Sequence, residues 1–405
     1  MIKIGIIRED KLPQDTRVPL TPQQCLYLLE EYPGKLQIEV QSSEHRAFKD
    51  QEYIDLGIQV VEDISESNIL LGVKEVPIEK LIPNKTYLFF SHTIKKQPYN
   101  EGLMKALINE KIRMIDYELL TYADLKRIIG FGYYAGVVGA HNGILTYGKK
   151  HQLFDLKPAH ECHDLKEMIK SYRNVQLPNI KIALTGSGRV AAGLLHIMEE
   201  LEVQDVEPED YLRKKFDYPV YTHLKGDRLY TRKSEQLYLQ HYERNDFHAH
   251  PEKYRCLFPN YITETDILLN GIFWDNKIDP LFTKEHVQQS SFKISVISDV
   301  TCDIDGSVPI NIGASTIDYP VYGISRKDFT KQAPFQNTSE IVDIMAVDNL
   351  PNELPRDASE HFGEKMLKFI IPEFLSNSSE ILDRATICKD GKLTERYEYL
   401  EDYAY

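Results

Sequence analysis

The sequence predicts an α/β fold made of two Rossmann-like, doubly wound parallel-sheet domains with an inter-domain cleft. Three observations carry this expectation. Short apolar runs alternate with amphipathic segments from Ile2 to Asp116, the rhythm of strands and covering helices. A second series of strand, glycine turn and helix begins near residue 179. Finally, 405 residues, 42% of them hydrophobic, suit two cores better than one.

In order along the chain, "IKIGII" from Ile2, "LQIEV" from Leu36, "ILLGV" from Ile69, "TYLFFS" from Thr86 and "IRMID" from Ile112 read as buried strands. Between them, "TPQQCLYLLEEY" after Thr21 and "NEGLMKALINEK" after Asn100 have helical spacing and open on N-cap residues. The stretch "GFGYYAGVVGAHNGIL" (130–145) is too apolar for a loop. Its many small residues predict a tightly packed connecting helix. "NIKIALTGSGRVAAGLLHIMEELEV" (179–203) supplies strand, turn and helix, and "DILLNGIFW" (266–274) and "KISVISDV" (293–300) add two buried strands. Near the end, Pro355 and Asp357 precede a helix with an apolar face. Residues 205–260 mix strand and helix signals and yield no assignment.

A formal net charge of −14 disfavours nucleic acid and anionic membranes, both of which need a basic face. No run approaches the ~20 apolar residues that span a bilayer, and "MIKIGIIRED" lacks a signal-peptide core, so the cytoplasm is the expected compartment. Five cysteines (Cys25, Cys162, Cys256, Cys302, Cys388) are scattered and odd in number, which predicts reduced thiols and no metal site. Small polar metabolites are the expected partners. Nothing in the sequence sets an oligomeric state.

The most specific local signal is Gly186-Ser187-Gly188-Arg189-Val190-Ala191. In such a turn the first glycine bends the chain, the second admits a pyrophosphate to the backbone, and the small third residue lets helix and strand pack. Amide groups at the helix start then face the phosphates. The bland alternative is a glycine turn that serves packing alone. About 20 positions on, an acid that takes the ribose hydroxyls would favour NAD. Glu207 is the candidate, with Asp205 and Glu209 competing, whereas Arg213-Lys214-Lys215 would suit a 2′-phosphate. The expected cofactor is therefore NAD or NADP.

The N-terminal half lacks a glycine loop, but its strands run into polar groups: Arg8-Glu9 with Arg17 after the first, Lys74-Glu75 after "ILLGV", His92 after "YLFFS", Asp116 and Glu118 after "IRMID". Each alone has an ordinary explanation, as a solvated strand end, a capping histidine, a loop charge or a helix-start carboxylate. Their shared position is what matters, because ligands sit at the carboxyl edge of open α/β sheets. A lysine of lowered pKa exchanges protons with an amine, a histidine activates water at an imine carbon, carboxylates tune both and arginines hold substrate carboxylates. The set suits carbonyl–amine chemistry coupled to hydride transfer. The expected domains are residues 1–135 with 346–405, a substrate and catalytic domain completed by the C-terminal helix, and 136–345, the dinucleotide-binding domain.

Taken in order, "GIIREDKLPQDTRVPLTP", "LGVKEVP", "FFSHTIKKQ", "DYELL", "RIIGFGYYAGVVGA", "NGIFW" and "VDNLPNELPRDASEHFG" resemble the L-lysine-forming saccharopine dehydrogenases, especially the lysine-ketoglutarate reductase half of aminoadipic semialdehyde synthases. The wider resemblance is to alanine dehydrogenase and the nucleotide-binding part of transhydrogenase. It implies reversible NAD(P)-linked condensation of L-lysine with 2-oxoglutarate to saccharopine. It also implies Lys74 as the acid–base lysine, His92 as the residue handling imine formation and hydrolysis, and Glu75 and Glu118 as their modulators. Substrate contacts would fall on Arg17, Lys74, Gln97, Arg127, Phe131 and Thr301-Cys302-Asp303. Nucleotide contacts would fall on Gly188, Arg189, Phe273, Val300 and Val347-Asp348-Asn349-Leu350, beside Gly186 and Ala191 of the turn. Where fungal relatives carry a cysteine pair, this chain has Val190 and Gly271, so no disulfide is expected there. A separate protein is expected for the glutamate-forming step of the bifunctional relatives. Competing readings are a related amino-acid or opine dehydrogenase, such as alanine dehydrogenase, and a non-catalytic NAD(P)-binding protein.

Overall fold

The computed structural model describes residues 1–234 and 241–405. They form two compact units, Met1–Phe131 with Pro355–Tyr405, and Gly132–Leu354.

In the first unit, β1 (Ile2–Ile6), α1 (Pro22–Glu31), β2 (Leu36–Gln41), α2 (Asp50–Ile54), β3 (Gln59–Val61), β4 (Ile69–Leu71), β5 (Thr86–Phe89), α3 (Glu101–Asn109) and β6 (Arg113–Asp116) follow one another. The strands pair in parallel in the order β6-β5-β4-β1-β2-β3. Ile4, Ile6, Leu70, Leu71, Leu88 and Ile115 are fully buried, because helices cover both faces of a parallel sheet. Helix α1 starts where the sequence says it should: Thr21 and Gln24 form a capping box and Pro22 occupies the first turn. Strand order reverses between β1 and β4, and in open α/β sheets ligands bind at the carboxyl ends beside such a reversal. The apolar run "ILLGV" stops being a strand at Leu71, since the amides of Val73 and Lys74 donate to the Glu9 carboxylate instead of a neighbouring strand.

The second unit opens with α4 (Gly132–His151), the expected small-residue helix, followed by α5 (Leu165–Lys170). Then come β7 (Lys181–Thr185), α6 (Arg189–Glu200), β8 (Gln204–Asp205), α7 (Pro208–Arg213) and β9 (Val220–Leu224). A two-stranded ribbon, β10 (Tyr230–Arg232) with β11 (Tyr254–Cys256), flanks α8 (Arg244–Ala249). It is followed by β12 (Ile267–Asn270), α9 (Lys284–Gln288), β13 (Val296–Asp299), β14 (Val321–Ser325), β15 (Lys331–Gln332) and β16 (Ile341–Met345). The sheet order is β15-β14-β16-β13-β12-β7-β9-β8, parallel except for β14 and β15. The stretch 205–260, unassigned from sequence, thus builds one edge of this sheet and the ribbon; residues 235–240 within it lie outside the described residues. Helix α4 meets α6 backbone to backbone: a Cβ on Gly136 would overlap the Val190 carbonyl, and one on Gly193 the Tyr133 carbonyl. That contact accounts for the run of small residues.

The chain returns to the first unit at Pro355, not at 346, because Val347 still bridges Ser315 in the second unit. Similarly, α4 lies wholly in the second unit, which moves the other boundary to Gly132. The returning segment is more than a helix. After α10 (Pro355–Lys365), α11 (Ile371–Phe374) and α12 (Glu380–Ala385), strands β17 (Thr386–Lys389) and β18 (Lys392–Leu393) extend the first sheet beyond β6. Phe362 of α10 stacks on Phe131 at 4.5 Å between ring centres, inside the core with Ile4, Ile6 and Leu88.

Candidate active site

The carboxyl ends of β1, β4, β5 and β6 bring together most of the polar groups expected of the first unit. At the strand-order reversal, Glu9 accepts from Val73 N (2.6 Å) and Lys74 N (2.9 Å), fixing the backbone from which the half-buried Lys74 projects. Burial and the neighbouring Asp15 push Glu9 up to about 8 against these amide bonds. Asp15 grips Arg17 through two bonds, Nε at 2.9 Å and Nη2 at 2.6 Å, and the guanidinium lies 4.1 Å over the Phe131 ring. Burial alone would raise Asp15. Arg17 outweighs it, helped by the Lys74 ammonium, and holds the carboxyl at about 2.

At the next strand ends, Asp116 organises the backbone. Its Oδ2 accepts from Ser91 N (3.0 Å) and Ser91 Oγ (2.5 Å), and its Oδ1 from Glu118 N (2.7 Å). The residue after Ser91, His92, is thereby held at φ +54° with Nδ1 3.3 Å from Glu118 Oε2. Lys95 Nζ sits 3.3 Å from both His92 Nδ1 and Glu118 Oε1, and Arg127 Nη2 3.0 Å from Glu118 Oε1. Burial opposes ionisation of Glu118, but the His92 bond, Lys95 and Arg127 prevail and lower it to about 2. Glu75 turns elsewhere: Oε2 pairs with Lys11 at 2.6 Å, and the buried Oε1 has no hydrogen-bond partner among the described residues. Gln97 accepts from the Tyr99 hydroxyl at 2.8 Å. Sequence reasoning passed over Asp15 and Lys95. The usable signals were an acid two residues before Arg17 and a base three residues after His92.

Glu9 also makes a pH prediction. A carboxyl raised from its ordinary 4.5 to about 8 keeps, in the folded chain, a proton that the unfolded chain has released. Stability therefore falls as pH climbs through that window. In Glu9→Gln the fall should flatten, with denaturation free energies at pH 5, 6.5 and 8 as the measurement and a loss between pH 5 and 8 smaller than in the wild type by about 3 kcal/mol. An unchanged slope would show that Glu9 is ionised throughout.

In the second unit, the glycine turn connects β7 to α6. Gly186, at φ +111°, donates to Leu224 O (3.2 Å) and accepts from His223 Nε2 (2.7 Å), and a Cβ on it would strike the Gly271 carbonyl. A Cβ on Gly188 would meet nothing within 4 Å, so the backbone at the start of α6 is open to a phosphate. Arg189 begins that helix and is exposed, while Ala191 is buried beneath it. This glycine cradle fits a dinucleotide pyrophosphate.

Phe273 (75% exposed), Val300, Thr301 and Asp303, but not Cys302, line a cavity of about 290 Å³ beside Val190 and Gly271. Those last two positions touch, since a Cβ on Gly271 would come within 2.8 Å of Val190 Cγ1. The turn after β13 is shaped by the buried Asp299, which accepts from Thr301 Oγ1 (2.7 Å), Asn270 Nδ2 (2.9 Å) and Asn311 Nδ2 (2.8 Å). Burial and Asp299 push the Cys302 thiol far above its ordinary value, which makes it a packing group and not a nucleophile. After β16, Val347 and Leu350 are buried, Asn349 is half-buried and Asp348 is exposed. Glu207 is not brought to the glycine turn. It follows β8, with β9 between it and β7, and its carboxylate pairs with Arg228 at 2.8 Å. Lys214 pairs with Asp210 at 2.8 Å and Arg213 with Glu209, along α7.

No helix among the described residues is long and apolar enough to cross a membrane. Residues 5–138 match the model of the alanine dehydrogenase/PNT N-terminal domain. The mitochondrial alpha-aminoadipic semialdehyde synthase of Mus musculus is 28% identical over 98% of this chain and 47% of its own length, and the Arabidopsis thaliana counterpart 28% identical over 98% and 41%. The chain thus spans about half the length of these relatives. Saccharopine dehydrogenase [NAD(+), L-lysine-forming] of Yarrowia lipolytica is 23% identical over 90% of each chain. Among solved structures, an L-alanine dehydrogenase superposes with a TM-score of 0.66 at 14% identity over 100% of both chains. The transhydrogenase from Sinorhizobium meliloti gives 0.59 at 14% identity over 97% of this chain and 98% of its own. These two fix the fold.

Proposed function

We propose that this chain, a homologue of aminoadipic semialdehyde synthases and of L-lysine-forming saccharopine dehydrogenases, catalyses the reversible NAD(P)-linked reductive condensation of L-lysine with 2-oxoglutarate to saccharopine. The observation that carries this reading is the gathering of Lys74, His92 and Glu118, with Arg17 and Arg127, along one sheet edge. Packing alone requires no such set.

Lys74, anchored through its amide, presents its amine for proton exchange with the substrate amine. His92 activates water at the imine carbon or assists loss of water on condensation, and Glu118 orients the ring. Arg17 and Arg127 supply positive charge for the substrate carboxylates. On the second unit, Gly186, Gly188 and the start of α6 hold the pyrophosphate. A bound reduced nucleotide supplies the hydride.

The test is a panel of initial rates that crosses lysine, alanine and other amino acids with 2-oxoglutarate and pyruvate, using each reduced nucleotide. Oxidation that requires both lysine and 2-oxoglutarate is expected. Preference for alanine with pyruvate would replace this reading by an alanine dehydrogenase. Nucleotide binding without turnover for any pair would leave a binding protein.

A further inference from the structure

We infer that the second unit carries a further ligand site, sharing no residue with the glycine turn, for an elongated amphoteric molecule. Its ammonium would meet Glu353, its anionic group Lys149 and Lys331, and an apolar chain would join the two. The site is independent of the reaction proposed above.

A cavity of about 790 Å³, ample for a small molecule, is lined within this unit by α4, residues 158–161, β14 with the residues before it, and β15 with the residues after it. From α4 come Asn142, Leu145, Thr146 and Lys149, which share one helix face, so the cavity follows the helix for about 10 Å. Charge divides between its two ends. At the Asn142 end stands Glu353, 1% exposed, which closes the short helical turn Leu350–Glu353. Its Oε1 accepts from Asn142 Nδ2 at 2.9 Å, and its Oε2 lies 3.7 Å from His160 Nδ1. Glu353 first, then Glu161 and Asp318, raise His160 above its ordinary value, so three carboxylates that line this end act on one imidazole. Burial pushes the Glu353 carboxyl up, and an arriving ammonium would offset that cost.

At the Lys149 end the sign reverses. Lys149 Nζ sits 6.0 Å from the Phe335 ring centre, and its ion-pair partner is the exposed Asp155 at 3.5 Å. Lys331 Nζ sits 5.4 Å from the Tyr322 ring centre. Strand register puts both lysines at this end: Gln332, beside Lys331, faces Gly323, which faces Asp343, and Asp343 meets Lys150 at 3.7 Å. Between the ends the lining is largely apolar, with Leu145, Val321, Tyr322 and Pro334. A purely anionic ligand would face Glu353, and a purely cationic one would face the lysines. A molecule with both charges, set about 10 Å apart along an apolar chain, answers each end.

The experiment titrates the full chain calorimetrically with 8-aminooctanoate, and with octylamine, octanoate and 4-aminobutanoate as its one-ended and shortened counterparts. The wild type should bind 8-aminooctanoate at least about tenfold more tightly than any of the three. Glu353→Gln keeps an acceptor for Asn142 and should weaken 8-aminooctanoate at least about tenfold. Lys149→Met/Lys331→Met should weaken it about threefold to fivefold and leave octylamine unchanged. Ala314→Trp, at an exposed position on the lining, should block binding by filling the cavity with Glu353 still in place. Far-UV circular dichroism reports whether each variant is folded; should Glu353→Gln unfold, Ala314→Trp decides. Binding that survives undiminished in folded Glu353→Gln or in Ala314→Trp places the molecule elsewhere and overturns the inference. So does octanoate binding as tightly as 8-aminooctanoate, or no binding to the wild type at about 10 mM.

Discussion

Lys74→Met should lower kcat for lysine- and 2-oxoglutarate-dependent oxidation by about a thousandfold, the ordinary worth of a positioned acid–base group. Methionine has nearly the length of lysine and leaves the backbone bond from residue 74 to Glu9 in place, so the strand end should keep its shape. What disappears is the amine beside Asp15 and Arg17. The loss should fall on kcat more than on KM, and the variant should still saturate with reduced nucleotide in a direct titration. One limb of the pH–rate profile should vanish with it. A decrease smaller than about threefold would remove Lys74 from the chemistry and leave the cluster as a binding surface.

Gly186→Ala should reduce nucleotide affinity by well over about tenfold and destabilise the second unit by about 2–4 kcal/mol. Two effects combine. At φ +111° an alanine is strained, and its methyl would strike the Gly271 carbonyl on the neighbouring strand. Relief requires the turn to move, yet the turn is bonded on both sides to β9 through Leu224 and His223. The displaced part is then the Gly188–Arg189 start of α6, where the proposed pyrophosphate site lies. Nucleotide titration and thermal unfolding check both quantities. Wild-type affinity in a stable variant would mean that the phosphates bind elsewhere.

Much of this organisation was legible in the sequence because its causes are local. A parallel strand buried on both faces must be an apolar run, and a helix meeting another at backbone distance must be built of small residues, as at Gly136 and Gly193. The polar residues after each strand of the first sheet could be counted, and Lys74, His92 and Glu118 do lie along one edge. What escaped depends on order in space. Residue spacing cannot reveal that β9 intervenes between β7 and β8, so a rule calibrated on adjacent strands selects Glu207 from a strand that does not adjoin β7. Similarly, the anchoring of the Lys74 amide by Glu9, from a strand 65 positions away, and the pull of Asp116 on both Ser91 and Glu118 are tertiary facts. The strands β17 and β18 were missed because each is short and pairs antiparallel at an edge.

The discontinuity of the first unit has a consequence for synthesis. Residues 132–354 emerge from the ribosome as an uninterrupted block whose strands all find their neighbours within it, whereas β6 awaits β17, translated some 270 residues later. Until then its outer row of amides and carbonyls is an open template, and Phe131 lacks the Phe362 ring that covers it. The nascent chain should therefore be most prone to aggregate until residues 355–405 have been made, and a cut at Leu354 should harm the first unit far more than the second.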